Sequence, residues 1–118
     1  MDERSQRLIN QLLDKTNQGK LTWTTAFEDG QFKTPLPGGS LWFVVQRKGD
    51  LRKFTMLDES QETILEESIT RAETINEPAD MPKLRLYSAI DRLQDLARIQ
   101  ALQVDDKVAR AEKILELI

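Results

Sequence analysis

Residues 40–57 constrain the fold more than any other part of this chain. They read as two strands, 40–48 and 51–57, joined by Gly49-Asp50. A two-residue connection with glycine first suits a type II′ turn, whose twist matches that of the strands it joins. Such a turn sets the register. Lys48 faces Leu51, Arg47 faces Arg52, Val45 faces Phe54 and Phe43 faces Met56. Phe43, Val45, Phe54 and Met56 then form one apolar face fit for a core. Trp42, Val44, Gln46, Lys53 and Thr55 form a mixed face on the other side.

The flanking segments supply what could cover that apolar face. Residues 3–17 place Leu8, Ile9, Leu12 and Leu13 on one helical stripe, and Asn17-Gln18-Gly19 supplies the stop. Leu21, Trp23 and Phe27 alternate with threonines in an extended segment, its aromatics expected on the core. A short strand at 31–34 ends at Pro35-Leu36-Pro37-Gly38-Gly39, a turn or loop sequence. Residues 58–76 admit two readings. One is a turn at 58–61 and a fourth strand at 62–67 followed by a loop. The other is a helix carried by Ile64, Leu65, Ile69, Ala72 and Ile75. The strand reading is preferred, and Glu77-Pro78-Ala79 breaks the chain in either case.

Asp80 followed by Pro82 marks the start of a helix covering about residues 83–102. Leu86, Ile90, Leu93, Ala97 and Ala101 form its stripe, widened by Leu84, Tyr87 and Leu96. Asp105 reads as the cap of a last helix, stapled by Val104 and Val108, with Val108, Ala111, Leu115 and Ile118 as its apolar face. The expected architecture is one α+β domain over residues 1–118. It has an N-terminal helix, a three- or four-stranded antiparallel sheet, and two C-terminal helices packed on one face.

The same residues restrict the chemistry. Among 118 residues there is no histidine and no cysteine. The commonest general base, the commonest metal ligand and the best side-chain nucleophile are therefore missing, together with disulfides and thiolate metal sites. The longest apolar run, Leu41 to Val45, is too short to span a bilayer or form a signal-peptide core. Met1-Asp2-Glu3-Arg4 lacks the basic-then-apolar order of a secretory signal, so a cytoplasmic location is expected. A net charge of −3 gives no global pull toward nucleic acid.

Two stretches carry a resemblance. Near the start they are Leu12-Leu13-Asp14-Lys15-Thr16 and Gly19-Lys20-Leu21-Thr22-Trp23. Near the end they are Leu93, Leu96-Ala97-Arg98, Gln100-Ala101-Leu102 and Val104-Asp105-Asp106. The pattern resembles a group of small uncharacterised bacterial proteins. That resemblance implies a compact α+β domain with an aspartate-rich turn between two strands where 58–61 stands. This chain lacks the glycine expected in that turn. The resemblance brings no catalytic residue, cofactor or ligand.

No glycine spacing matches a dinucleotide or phosphate loop. Asp58, Glu59, Glu62, Glu66 and Glu67, and the Asp105-Asp106 pair, read as a solvated acidic face and a helix cap. Ser60, Ser68 and Ser88 lack a Ser-x-x-Lys partner. No cofactor or metal is expected, and the chain is read as a non-enzymatic protein-interaction module, accessory or regulatory in type. Arg47, Lys48, Arg52 and Lys53 crowd the hairpin end with only Asp50 opposing them, and Arg47 facing Arg52 is unfavourable by itself. An anionic ligand, nucleic acid or an acidic protein surface would relieve that repulsion, with Trp42 as a stacking platform. The plainer reading is a splayed, solvated end guarded against edge pairing. Trp23 and Trp42 could line a cleft, but read better as core or core rim. Leu115, Leu117 and Ile118 broaden the apolar surface of the last helix. Burial on the chain's own sheet is the preferred reading, because a small domain needs its apolar area; a homodimer or another protein could instead use them as a contact.

Overall fold

The computed structural model describes residues 3–75 and 81–118. Helix α1 spans Glu3–Asn17, and five strands follow: β1 Thr24–Thr25, β2 Gln31–Pro35, β3 Leu41–Lys48, β4 Leu51–Asp58 and β5 Thr63–Thr70. A short helix α2, Arg71–Ile75, and a long helix α3, Met81–Leu117, complete the chain. The strands lie in sequence order in one antiparallel sheet.

The hairpin has the expected register, residue for residue. Lys48 faces Leu51, Arg47 faces Arg52, Val45 faces Phe54 and Phe43 faces Met56. Gly49 takes a φ of +58°, the left-handed value that the first position of the turn needs. Phe43 and Phe54 stack with their ring centroids 5.8 Å apart. Alternation divides the sheet cleanly. Phe32, Thr34, Phe43, Val45, Phe54 and Ile69 are buried on one face, against Ile9 and Leu12 of α1 and Leu86, Ile90, Leu93 and Ala97 of α3. Their alternates Lys33, Trp42, Val44, Gln46, Lys53, Thr55 and Leu57 are only half-buried, so no described element covers that second face. Ser5 ties α1 to the sheet, its buried hydroxyl donating to Glu67 at 2.9 Å.

The preferred strand reading of 62–67 holds and extends to Thr70, and the helical alternative survives only as the single turn and a half of α2. The turn before it has no glycine, and Gln61 takes the left-handed conformation instead, at a φ of +67°. Asp58 compensates by accepting the backbone N–H groups of Ser60 and Glu62 at 2.9 and 3.0 Å. β1 is the strand beyond the three or four expected.

Two expectations fail for stated reasons. Trp23 is fully buried, with its indole N–H donating to the Thr16 hydroxyl at 3.0 Å, but Phe27 is fully exposed. The chain reverses between Ala26 and Gln31, whose N–H and C=O pair at 2.9 Å, and this turns Phe27 outward toward Lys33. The two C-terminal helices are one. α3 runs for 37 residues through position 105, so no helix begins there. Residues 102–107 contain neither glycine nor proline, and an aspartate inside a helix costs only tenths of a kcal/mol. The helix start expected at Asp80, the break at Glu77-Pro78-Ala79, and the side chain of Val104 lie outside the described residues.

Among the described side chains, the last ties of α3 to the body fall at Gln100 and Ala101. Gln100 accepts the N–H of Trp23 at 2.6 Å and donates to the carbonyl of Leu21 at 2.9 Å, and Ala101 is buried. Every described side chain from 102 onward is exposed. The molecule measures 61 × 29 × 25 Å, the long axis following a helix whose 37 residues rise about 55 Å.

Candidate functional site

The basic hairpin end does not form one patch. Strand parity puts Arg47 and Arg52 on the helix-covered face, in line with Val45 and Phe54, while Lys48 and Lys53 point to the uncovered face. The two arginines meet an anion of the chain's own. The Arg47 Nη2 lies 2.7 Å from Asp91 and 2.8 Å from Asp95, and the Arg52 Nε lies 2.5 Å from the same Asp91 oxygen. Asp91 and Asp95 are one turn apart on α3 and so reach the hairpin together. Arg52 also donates to the carbonyls of Gly49 and Leu51 and lies over the Tyr87 ring at 5.3 Å. The Tyr87 hydroxyl reaches the Asp50 carbonyl at 3.3 Å. The hairpin end is stitched to α3, and the like-charge contact is relieved internally.

Burial alone would raise the Asp91 carboxyl, but hydrogen bonds from Arg52 and Arg47, with their charges, hold it below the usual carboxylate range. Burial likewise opposes the charge on Arg47, and its hydrogen bonds to the carboxylates of Asp95 and Asp91, with their charges, more than offset it. Because the native Asp91 binds its proton more weakly than the unfolded one, its contribution is complete above the ordinary carboxylate range. It is lost as pH falls through the lower native value. Asp91→Ala is expected to cost about 2 kcal/mol. Breaking a fully buried pair costs roughly 3–5 kcal/mol, and the Asp91 side chain is 35% exposed, which screens the interaction. Asp91→Asn should flatten the acid limb of stability against pH. Urea unfolding between about pH 3 and pH 7 checks both expectations.

On the uncovered face, Lys33 lies over Trp42 at 5.5 Å and over Phe27 at 5.8 Å, and Lys53 pairs with Glu66 at 2.7 Å. Trp42 is therefore half-buried beneath a lysine, beside cations of which Lys48 is the most exposed. Trp23, by contrast, is core. The two tryptophans line no common cleft. A cleft of about 240 Å³ between the start of α1 and strands β4 and β5 is lined by Arg4, Leu8, Met56, Ile64 and Leu65. It is smaller than the usual small-molecule site and offers one polar side chain. Among the described residues, no group of three carboxylates is gathered as a metal would need, and no helix is long and apolar enough to cross a membrane.

Among the described residues, exposed large apolar side chains gather on the outer half of α3. Val108, Ile114, Leu115, Leu117 and Ile118 are all exposed, from 50% for Val108 to 94% for Ile118. At 100° per residue, Val108, Ala111, Leu115 and Ile118 stand on the side of the helix that buries Leu86, Ile90, Leu93 and Ala97 further up. One stripe is thus covered by the body as far as Ala101 and, at its described positions, bare from Val108 onward. Leu115, Leu117 and Ile118 are not buried on the chain's own sheet, the alternative that a monomer would have needed. Sequence periodicity marked the stripe, but a helix expected to fold back hid its projection. No family model, curated protein or solved structure matches this chain.

Proposed function

We propose that this chain is a non-enzymatic protein-interaction module, accessory or regulatory in type, whose docking element is the outer half of α3. The observation behind it is the stripe of Val108, Ala111, Leu115 and Ile118, which continues the core face of the helix past the end of the body. A solvated single helix of about 16 residues is marginal in water, and most helical stability in proteins comes from packing an apolar face. Exposed apolar surface in a row, rather than scattered, marks a contact with another protein. The absence of histidine and cysteine from the sequence fits a role that rests on surface complementarity.

The test is the native mass of the tagged chain in nuclease-treated cell extract, beside that of Leu115→Asp. The expected result is an assembly heavier than the 13.6 kDa chain that the substitution dissolves. Identical small masses for both forms would overturn the reading. A second reading, an anionic polymer on the uncovered face, has one observation in its favour: Trp42 shares that face with Lys33, Lys48 and Lys53. It predicts that the nuclease itself dissolves the assembly and that binding falls steeply with salt.

A further inference from the structure

We infer that β5 takes up an extended segment of another protein as an added antiparallel strand, and that this segment carries two adjacent basic residues followed by an apolar one. The site is separate from the outer half of α3 and does not rest on that reading.

The sheet has two unlike edges. β1 closes one side with two residues, whereas β5 leaves eight on the other, and no described strand pairs with its outer side. The Arg71 N–H donates to the Asp50 carbonyl at 3.1 Å, just beyond the Leu51–Thr70 pair, and this sets which backbone groups turn inward. Ile69, Glu67 and Leu65 turn theirs toward β4. By alternation, the N–H and C=O groups of Glu66 and Ser68 point away from the sheet. Edges are ordinarily guarded by lysine, proline or very short length. Thr63–Thr70 contains no lysine and no proline, and its register shift lies near its start, opposite Met56 and Leu57.

Charge and shape name the occupant. Residues 54–70 hold Asp58, Glu59, Glu62, Glu66 and Glu67 and neither lysine nor arginine. Glu66 stands on the uncovered face, in line with Ser68, and Glu67 stands on the helix-covered face. Lys53 of β4 reaches Glu66 from the inner side at 2.7 Å, and an incoming strand can supply the matching cation from the outer side. A side chain set against Leu65 lies on the face that holds the cleft of about 240 Å³, whose walls include Leu8, Met56, Ile64 and Leu65. That space suits one apolar side chain. Every pairing in this sheet is antiparallel. Along an antiparallel strand, the residues set against Glu67, Glu66 and Leu65 are then basic, basic and apolar. In strand addition, main-chain bonds give affinity and the alternate side chains give specificity. A second copy does not meet these demands. Pairing β5 with itself in either register centred on the strand sets Glu66 on Glu66 or Glu67 on Glu67, and like charges directly opposed destabilise a sheet.

The experiment uses the purified full chain and a fluorescent synthetic peptide, Thr-Val-Thr-Arg-Arg-Leu-Thr-Thr, followed by anisotropy. Saturable binding is expected, and added salt should weaken it. Ser68→Pro removes an N–H that β4 does not use, so the chain should keep its fold while binding falls at least about tenfold. Joint replacement by Glu66→Lys and Glu67→Lys should give a loss of similar size, and Leu115→Asp should leave binding unchanged. On the peptide, N-methylation of the third and fifth residues, which sit against Ser68 and Glu66, should abolish binding, whereas N-methylation of the fourth and sixth should not. That comparison decides the matter even if Ser68→Pro fails to fold. No saturation up to about 1 mM peptide, the range of only weak association, would overturn the proposal, as would equal binding by the two methylated forms. Loss of binding in Leu115→Asp would place the peptide on α3, which removes the β5 site and leaves the docking element standing.

Discussion

Trp23→Ala is expected to destabilise the chain by about 4 kcal/mol, the scale of emptying a large aromatic from a close-packed interior. Trp23 is fully buried in the cluster that joins α1, the sheet and α3, together with Ile9, Leu12, Leu93 and Ala97. Its indole N–H is matched to Thr16, the last buried residue of α1, so truncation also strips that hydroxyl of its donor. The backbone on either side is pinned by Gln100 through Leu21 and Trp23, which limits how far the site can collapse into the void. Trp23→Phe keeps most of the volume and should recover roughly half of the loss. Chemical denaturation of the three forms, with the slope of the transition unchanged, measures these differences.

Gly30→Ala is expected to cost about 3 kcal/mol although it adds a single methyl group. Gly30 has a φ of +72°, and a β-carbon there would lie 2.5 Å from the carbonyl oxygen of Arg47. The left-handed conformation alone costs an ordinary residue about 1–2 kcal/mol, and a clash with backbone cannot be relieved by a change of rotamer. The Gly30 carbonyl is itself engaged, accepting the Arg47 N–H at 3.0 Å and the amide of buried Gln94 at 2.6 Å. A shift of residue 30 therefore pulls at β3 and α3 together. Since Arg47 is also the residue that grips Asp91 and Asp95, Gly30→Ala should lower the acid stability of the hairpin contact as well. Denaturation at two pH values would show that coupling.

What could be read in the sequence was local. The register of the hairpin followed from Gly49-Asp50 because a two-residue turn leaves no play. The stripe of α1 and the upper stripe of α3 followed from spacing. The register even placed Arg47 in line with Val45, and Arg52 in line with Phe54, on the core face. Their counter-ion was hidden because Asp91 lies 44 and 39 residues away, on an element whose rotation no local pattern sets. The joining of the last two helices was missed because Asp105 is a good cap only where the backbone turns, and nothing in residues 102–107 makes it turn. Phe27 was misplaced because alternation was carried one residue past the point where the chain reverses. The bare stripe itself was written in Val108, Ala111, Leu115 and Ile118. Its exposure depends on where the sheet ends, which is a property of the assembled body.

The most direct test of the docking-element reading is backbone amide exchange over residues 106–117, compared between the purified chain and the chain in nuclease-treated cell extract. Protection there should be slight in the purified chain and climb in extract, while the amides near Leu93 stay protected in both. Leu115→Asp should hold the segment at its unprotected rate in extract. Exchange over 106–117 at one rate in both settings, and the same in Leu115→Asp, would contradict the reading.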